Sequence, residues 1–442
     1  MNVPRSLLRG ALLAAGLSTV LSPLGAAERW KFDFGAGAVA PGFTPVLPEM
    51  AYSAERGFGF ELGSEPVAGG RAGGDPLTSD FVTSAKPFLF SAAVPEGNYR
   101  VTVTLGDPAA ESVTTIKAEL RRLMVERLAV PAGQTRKVSF IVNTRSPKIA
   151  AAADIKAGEV NLKKPREIEL EAFAWDDKLT LEFNNTHPAI CAVEIEPVQV
   201  PTIFVLGDST VCDQPREPFA SWGQMLTRFF KPEVAIANHG ESGESYSASL
   251  SRRRIDKICS QVQPGDVVIM QFGHNDQKER GENAGPFKNY KENIRKHVEM
   301  VRAHGGIPVI VSPMERRAFD ADGKVRQSLA DYAQGAEQAA KENNVAFIDL
   351  HAWSIPFYET LEVHGKDYSR KAFAGQDNTH SDNYGAYEFA KVIAQGLRDN
   401  KIALAKYLVD DFAPLDPHHP DPVETFPVPA SGGAEGPRPL GN

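Results

Sequence analysis

Ser209 lies in the run Gly207-Asp208-Ser209-Thr210-Val211, and near the C-terminus Asp377-Asn378-Thr379-His380 puts an acid and an imidazole into one short loop. A serine hydroxyl is inert at its free pKa, and becomes a nucleophile only with a general base in hydrogen-bond reach and an acid that orients the base. Asp377 can hold His380 in the tautomer that takes the Ser209 proton. Acyl transfer also needs N–H donors aimed at the tetrahedral oxyanion. Asn238-His239-Gly240-Glu241-Ser242-Gly243-Glu244-Ser245 offers the backbone N–H of Gly243, which no side chain obstructs, and Gly273-His274-Asn275-Asp276 offers the side-chain amide of Asn275. The Ser209 N–H is the third donor. Each segment alone has a commonplace reading, as a turn, a cap, a helix start or half a metal site. Together they point to ester hydrolysis through Ser209.

The elements between these segments explain why they can meet. From Pro201 onward, β-branched runs at Thr202–Leu206, Val234–Asn238, Val267–Gln271, Ile307–Val311 and Val345–Asp349 alternate with amphipathic stretches. That rhythm predicts a parallel sheet with helices on both faces. Tyr290, Ile294, Val298 and Val301 share one helical face, Gly305 follows at the expected helix end, and another helix is predicted from near Asn383. Ligands of such sheets gather at the carboxyl ends of the strands, where the chemically suggestive segments lie. From Arg29 to about Gln199 the chain instead reads as short strands with turns. These include Phe88–Ala93, Tyr99–Leu105, Lys137–Asn143, Ile168–Phe173 and Leu179–Phe183, the pattern of a β-sandwich.

GDSTV, the glycine-bearing segment after the second strand, GHND and DNTH occur in the order and approximate spacing of the four blocks of SGNH (GDSL-type) hydrolases. Within that class, GDSTVCD, SGES, GHNDQK, SPMERRAF and DNTHSDNYGAYEFA most resemble rhamnogalacturonan acetylesterases and related pectin or xylan deacetylases. The segments KFDFGAGAVAPGFTPV and FLFSAAVPEGNYRVTVTLGD resemble galactose-binding-like sandwich domains. The resemblance implies an α/β fold, a three-layer α/β/α domain with a parallel sheet preceded by a β-sandwich. It also implies Ser209 as nucleophile, Gly243 and Asn275 in the oxyanion hole, Asp377 and His380 as acid and base, and no cofactor or metal. The chain departs from the pattern at Glu244, where members often carry Arg, so a contact to an anion from that position is not carried over.

The domain boundaries expected are a signal peptide over 1–27, the sandwich over 28–199, the hydrolase domain over 200–408 and a Pro/Gly-rich extended tail over 409–442. The leader has Arg5 and Arg9 before an apolar run and ends in Gly25, Ala26 and Ala27, so export to the periplasm or the exterior is expected, with no membrane association after its removal. The formal charge of −8 becomes more negative still once those two arginines are removed, which argues against a nucleic-acid partner. Cys191, Cys212 and Cys259 allow one bridge at most, and Cys212 reads as a small packing residue.

The expected function is removal of acetyl groups from a plant cell-wall polysaccharide, with rhamnogalacturonan first and xylan second. A GDSL-type lipase or thioesterase on the same triad is the rival enzyme. An inactive polysaccharide-binding protein is the rival from another class. Arg316 and Arg317, after the fourth strand, either meet a uronate carboxylate or form a solvated pair. Trp222 either stacks on sugar or packs in the core, and the sandwich is either a sugar-binding module or a scaffold. His418 and His419 read as solvent-exposed residues of the tail rather than metal ligands. With all blocks beyond Pro201, the chemistry is expected not to require residues 29–199.

Overall fold

Alternation of apolar residues builds the first unit. In Lys178–His187, Leu179, Leu181 and Phe183 turn to one side and meet Phe88 and Phe90 of Phe88–Ala93, which pairs with it antiparallel. In a computed structural model of the protein, which describes residues 29–71, 73–432 and 439, two antiparallel-rich sheets enclose this core. One sheet runs Arg136–Thr144, Gly97–Leu105, Ile190–Pro197, Trp30–Phe34, Thr44–Val46; the other runs Phe58–Phe60, Phe88–Ala93, Lys178–His187, Ser112–Ala118, Arg122–Val130. The leader over 1–27 lies outside the described residues. No helix among the described residues is long and apolar enough to cross a membrane.

The second unit is a five-stranded parallel sheet ordered Ala235–Asn238, Thr202–Gly207, Val267–Gln271, Ile307–Val311, Ala346–Ile348. Its strands are buried on both sides. Ile203, Val205, Val267 and Ile269 face the helices Leu350–Glu362 and Asn383–Asp399, while Phe204, Leu206, Val268 and Met270 face Lys291–Ala303 and Ala330–Glu342. Tyr290, Ile294, Val298 and Val301 are buried on one face as their spacing predicts, and Asp382 caps the helix that begins at Asn383.

Three expectations change. Ile168–Phe173 is not a strand: Arg166–Leu170 is a π-helical turn followed by a 3-10 turn at Ala172–Ala174. The alternating Glu167, Ile168, Glu169, Leu170 looked like a half-buried strand, but buried Arg254 and Arg166 draw Glu167 and Glu171 inward and leave Ile168 exposed. The tail is extended as expected, yet it is docked. Leu415 and Val428 join the hydrolase core, and the buried ammonium of Lys117 finds acceptors at the Pro429 carbonyl and the Ser431 hydroxyl.

The third change concerns independence of the two units. The hairpin tip Glu119–Arg122, with Glu119 and Arg121 both at positive φ, drives two guanidinium groups into the hydrolase. Arg121 donates to the carbonyls of Gln214 (3.2 Å) and Phe219 (2.9 Å) and pairs with Glu217 at 2.6 Å. Arg122 meets the buried Asp213 at 3.3 Å, and Arg145 donates to the Asn238 carbonyl. Removing the sandwich would strip Asp213 and Glu217 of the cations that face them and uncover the apolar hydrolase surface that Leu120, Leu123, Ile149, Val160 and Trp175 cover. A chain beginning at Val198 should therefore fail to yield soluble, folded enzyme. Expression of that truncation tests this, and a soluble form hydrolysing a small acetyl ester within about tenfold of the full chain would contradict it.

Candidate active site

Gly207 ends the first parallel strand, where a Cβ would lie 2.5 Å from the Gln271 carbonyl oxygen and from the Val211 side chain, so only glycine admits the sharp exit. The Asp208 carbonyl then accepts the N–H groups of Val211 and Cys212, each at 3.0 Å. Because a trans peptide is planar, this fixes the Ser209 N–H in the opposite direction. A chain of buried hydrogen bonds holds the turn from below. Trp222 Nε1 donates to Gln271 Oε1 (2.7 Å), Gln271 Nε2 to Thr210 Oγ1 (2.6 Å), and Thr210 Oγ1 to Asp208 Oδ1 (2.8 Å). The other Asp208 oxygen meets His274 Nδ1 at 3.2 Å. Burial would raise the Asp208 pKa, but His274 and the Thr210 donors hold it below the usual carboxylate value.

Across the cleft, the loop 373–382 is pinned at several points. Ala374 N–H donates to the His380 carbonyl, Ala220 N–H to the Ser381 carbonyl, and Arg317 N–H to the Asn378 carbonyl. His380 Nδ1 donates to Asp377 Oδ2 at 2.9 Å, and Ser209 Oγ donates to His380 Nε2 at 2.7 Å. Asp377 Oδ1 also accepts the N–H groups of Thr379 (2.7 Å) and His380 (3.0 Å). Burial opposes the charge on Asp377, yet these donors hold its carboxyl well below the usual range. His380 is pushed below the ordinary histidine value by burial, against the opposing pull of Asp377. The ring edge of Phe219 packs on His380 with centroids 6.0 Å apart.

Gly243 sits at φ +74°, a left-handed position that favours glycine. Among the described residues, neither the Ser209 nor the Gly243 N–H is spent on another acceptor. Asn275 Nδ2 gives one N–H to the Glu244 carbonyl at 2.8 Å and keeps its second. The structure thus brings Ser209, Asp377 and His380 into one hydrogen-bonded line and leaves N–H donors at Ser209, Gly243 and Asn275. The arrangement can abstract the Ser209 proton and stabilise an oxyanion.

Two suggested substrate contacts fall elsewhere. Trp222 is only 1% exposed and its indole N–H is committed to Gln271, so it packs in the core beneath the nucleophile and cannot stack on sugar. Arg317 is buried and paired with Asp367 (2.8 Å) and Glu362 (3.4 Å), which removes it from substrate. Arg316 is partly exposed; its guanidinium hydrogen-bonds Gln277 (2.9 Å), Ser328 (3.2 Å) and the His274 carbonyl (3.5 Å), while its main-chain N–H donates to the Glu315 carboxylate at 2.7 Å. Beside the triad loop, a surface groove of about 470 Å³ is lined by Phe319, Arg326, Lys366, Arg370 and Asn378. Glu244 is fully buried and ion-paired to Lys163 at 2.6 Å. His419 is exposed and bonded to Asp416.

Sequence reasoning missed Gln214, Lys163 and Arg166. Gln214 Nε2 donates to the Ser209 carbonyl at 2.7 Å, and Arg166 reaches both Gln214 Oε1 (3.2 Å) and Ser242 Oγ (3.0 Å). No linear signal marks them, because a charged run such as Lys163-Lys164-Pro165-Arg166-Glu167 reads the same whether it is solvated or buried. Among the described residues, the carboxylates of Glu167, Glu171 and Glu241 are the one group close enough to share a metal ion. Their neighbours are the guanidinium groups of Arg254 and Arg166, at 2.6 Å from Glu167 and Glu171 respectively, so cations already occupy the field an ion would need. No metal or cofactor is assigned to them.

Residues 205–386 match the family model described as GDSL-like lipase/acylhydrolase, and residues 30–124 match that described as β-agarase/YXIM esterase-like, galactose-binding domain-like. The rhamnogalacturonan acetylesterase RhgT of Bacillus subtilis is 33% identical over 229 residues, covering 48% of this chain and 95% of its own length. The uncharacterized esterase YxiM of the same organism is 25% identical over 384 residues, covering 85% of this chain and 92% of its own. The probable rhamnogalacturonan acetylesterase YesY, also from Bacillus subtilis, is 28% identical over 215 residues, covering 47% of this chain and 98% of its own.

His380 must be neutral to accept the serine proton, and its depressed pKa keeps it neutral at pH values where a free imidazole, with pKa about 6.5, is already half protonated. The acid limb of kcat/KM should accordingly have an apparent pKa below 6.5. A pH–rate profile checks this, and an acid limb centred above 7 would contradict it.

Proposed function

The chain belongs to the GDSL-like lipase/acylhydrolase family and is a carbohydrate esterase, and from that premise we propose that it removes acetyl groups from rhamnogalacturonan. The observation that carries the reading is the line of hydrogen bonds from Asp377 through His380 to Ser209. In the proposed reaction, Ser209 Oγ attacks the acetyl carbonyl as its proton passes to His380 Nε2, and Asp377 stabilises the imidazolium. The N–H groups of Ser209, Gly243 and Asn275 receive the oxyanion. His380 then gives its proton to the departing sugar oxygen, which leaves as a hydroxyl, and a water deprotonated by the same nitrogen hydrolyses the acetyl-Ser209 ester to acetate and free Ser209.

Three features support an acetylated, acidic polysaccharide as substrate. Two of the relatives reported above carry rhamnogalacturonan acetylesterase in their names. The guanidinium of Arg316, on the strand-end side of the site, hydrogen-bonds only neutral groups and forms no salt bridge among the described residues, although the carboxylates of Glu315 and Asp208 attract it. The groove beside Asn378 adds Arg326 and Lys366, although Asp320, Glu362 and Asp367 line it too and Asp367 pairs with Arg370 at 3.4 Å. An exported enzyme, secreted or periplasmic, fits a substrate of this size, and the leader read from Met1 to Ala27 is the basis for that location.

Ser209→Ala should lower acetyl-ester turnover by roughly 10³ or more with the fold retained. Acetate release from acetylated rhamnogalacturonan, xylan and homogalacturonan, measured for both forms, checks nucleophile and substrate together. The expected result is fastest release from rhamnogalacturonan, abolished in the variant. Near-normal release by folded Ser209→Ala would overturn the nucleophile, and preference for xylan would overturn the substrate.

A further inference from the structure

The block-two loop that carries Gly243 is gripped by a residue from outside the hydrolase sheet. Lys163 lies in the irregular segment between the short strand Gly158–Glu159 and the π-helical turn Arg166–Leu170, on the sandwich side of Pro201. Its side chain is only 12% exposed. The ammonium donates to the Ser242 carbonyl and pairs with Glu244 Oε1 at 2.6 Å, so it touches the residues on both sides of Gly243. The main chain of Lys163 is itself fixed, since its N–H donates to Glu167 Oε2 at 2.7 Å and its carbonyl accepts the Glu167 N–H at 2.8 Å.

We propose that Lys163 is a positioning residue for the oxyanion hole, one that sets the direction and donor strength of the Gly243 N–H through the Ser242–Gly243 peptide. The inference rests on the reading of Gly243 as an oxyanion donor. In a planar trans peptide, carbonyl and N–H point in opposite directions, so a cation that anchors the Ser242 oxygen also aims the Gly243 N–H. A positive charge at the carbonyl oxygen draws electron density from the amide nitrogen, and a polarised N–H is the stronger donor.

Glu244 extends the effect to the next donor. Its carboxylate holds Lys163, while its carbonyl accepts from Asn275 Nδ2 at 2.8 Å. Arg252 and Arg254 also face that carboxylate, at 3.3 and 3.7 Å, so Glu244 retains cations without Lys163. The Ser242 carbonyl has no such reserve among the described residues. Glu244 therefore has a role at the position where a contact to substrate was in doubt: it is the buried counter-ion of the lysine that grips the oxyanion loop.

Full-length Lys163→Met, Lys163→Arg, Lys163→Met/Glu244→Gln and Asn275→Ala, assayed with 4-nitrophenyl acetate, test the role. Removing a whole oxyanion donor costs about 10²–10³ in kcat, so loss of alignment and polarisation alone should cost about tenfold. Lys163→Met should lose about tenfold in kcat with KM within about twofold, and Lys163→Arg should retain kcat within about threefold. The double variant removes the negative charge that Lys163 had paired and guards against misfolding, but still lacks a cation on the Ser242 carbonyl, so its kcat should stay low. Recovery of kcat in the double variant would overturn the proposal by reducing Lys163 to charge balance. Unchanged kcat in Lys163→Met alongside a large loss in Asn275→Ala would overturn it while leaving the oxyanion reading intact. No loss in either would remove the oxyanion reading and the proposal with it.

Discussion

Asp213, four residues beyond Ser209, is a carboxylate with almost no access to water, and the way it is satisfied governs the arrangement around it. Burial pushes its pKa up, while Arg122 and Arg145 pull it down. Both cations come from the sandwich side of the chain, and Asn238 Nδ2, at the end of the second parallel strand, donates to the same carboxylate at 2.7 Å. One buried charge thus ties together the nucleophile loop, the strand that leads into the oxyanion loop and the preceding domain. A buried ion pair contributes little net stability over an apolar contact, but removing one partner while the other stays buried is costly. The junction is apolar as well as ionic, since the sandwich side contributes Leu123 to one hydrolase core and Leu120, Ile149, Val160 and Trp175 to the other.

The same economy appears around the reaction centre. Ser209, His380 and Asp377 are all buried, and the groups that hold them are buried hydrogen-bonding side chains: Gln271, Thr210, Asp208 and Gln214. In such surroundings electrostatic interactions are much stronger than in water, and donors already in place need not reorganise when charge develops. The parallel sheet supplies the geometry, since strand ends converge on one edge. The sandwich supplies fixed positive charge behind that edge, through Lys163, Arg166, Arg121 and Arg122.

What was legible in the sequence divides along this line. The five parallel strands, the helix face of Tyr290, Ile294, Val298 and Val301, the three segments at strand ends and the loop of Asp377 and His380 before the last long helix follow from local patterns of residue type, and the fold keeps them. The pairing of Ser209 with His380 and Asp377 is offered by residue type and implied by the resemblance to SGNH hydrolases, and the fold brings the three together. What escaped were partners. Trp222 as a possible sugar platform and Arg317 as a possible carboxylate ligand have the right chemistry, but each is consumed by a neighbour distant in sequence, Gln271 in one case and Asp367 in the other. The strand expected over Ile168–Phe173 is a pair of helical turns whose Glu167 and Glu171 are buried, because the guanidinium groups of Arg254 and Arg166 that pair with them are not visible in a linear run. The autonomy expected of residues beyond Pro201 takes no account of charges that cross the junction, such as Arg121 on Glu217 and Arg122 on Asp213, because a composition change marks only a change of architecture.

The central claim is that a nucleophile at Ser209 works with an oxyanion hole held from the sandwich side. The most direct test is a crystal structure of the full chain after inactivation by an organophosphonate, whose tetrahedral phosphonyl group stands in for the acyl-transfer transition state. The account predicts a single adduct on Ser209 Oγ, with the phosphoryl oxygen within hydrogen-bond distance of the Ser209 and Gly243 N–H groups and Asn275 Nδ2, and Lys163 still on the Ser242 carbonyl. An adduct on another residue, or a phosphoryl oxygen turned away from Gly243, would contradict it.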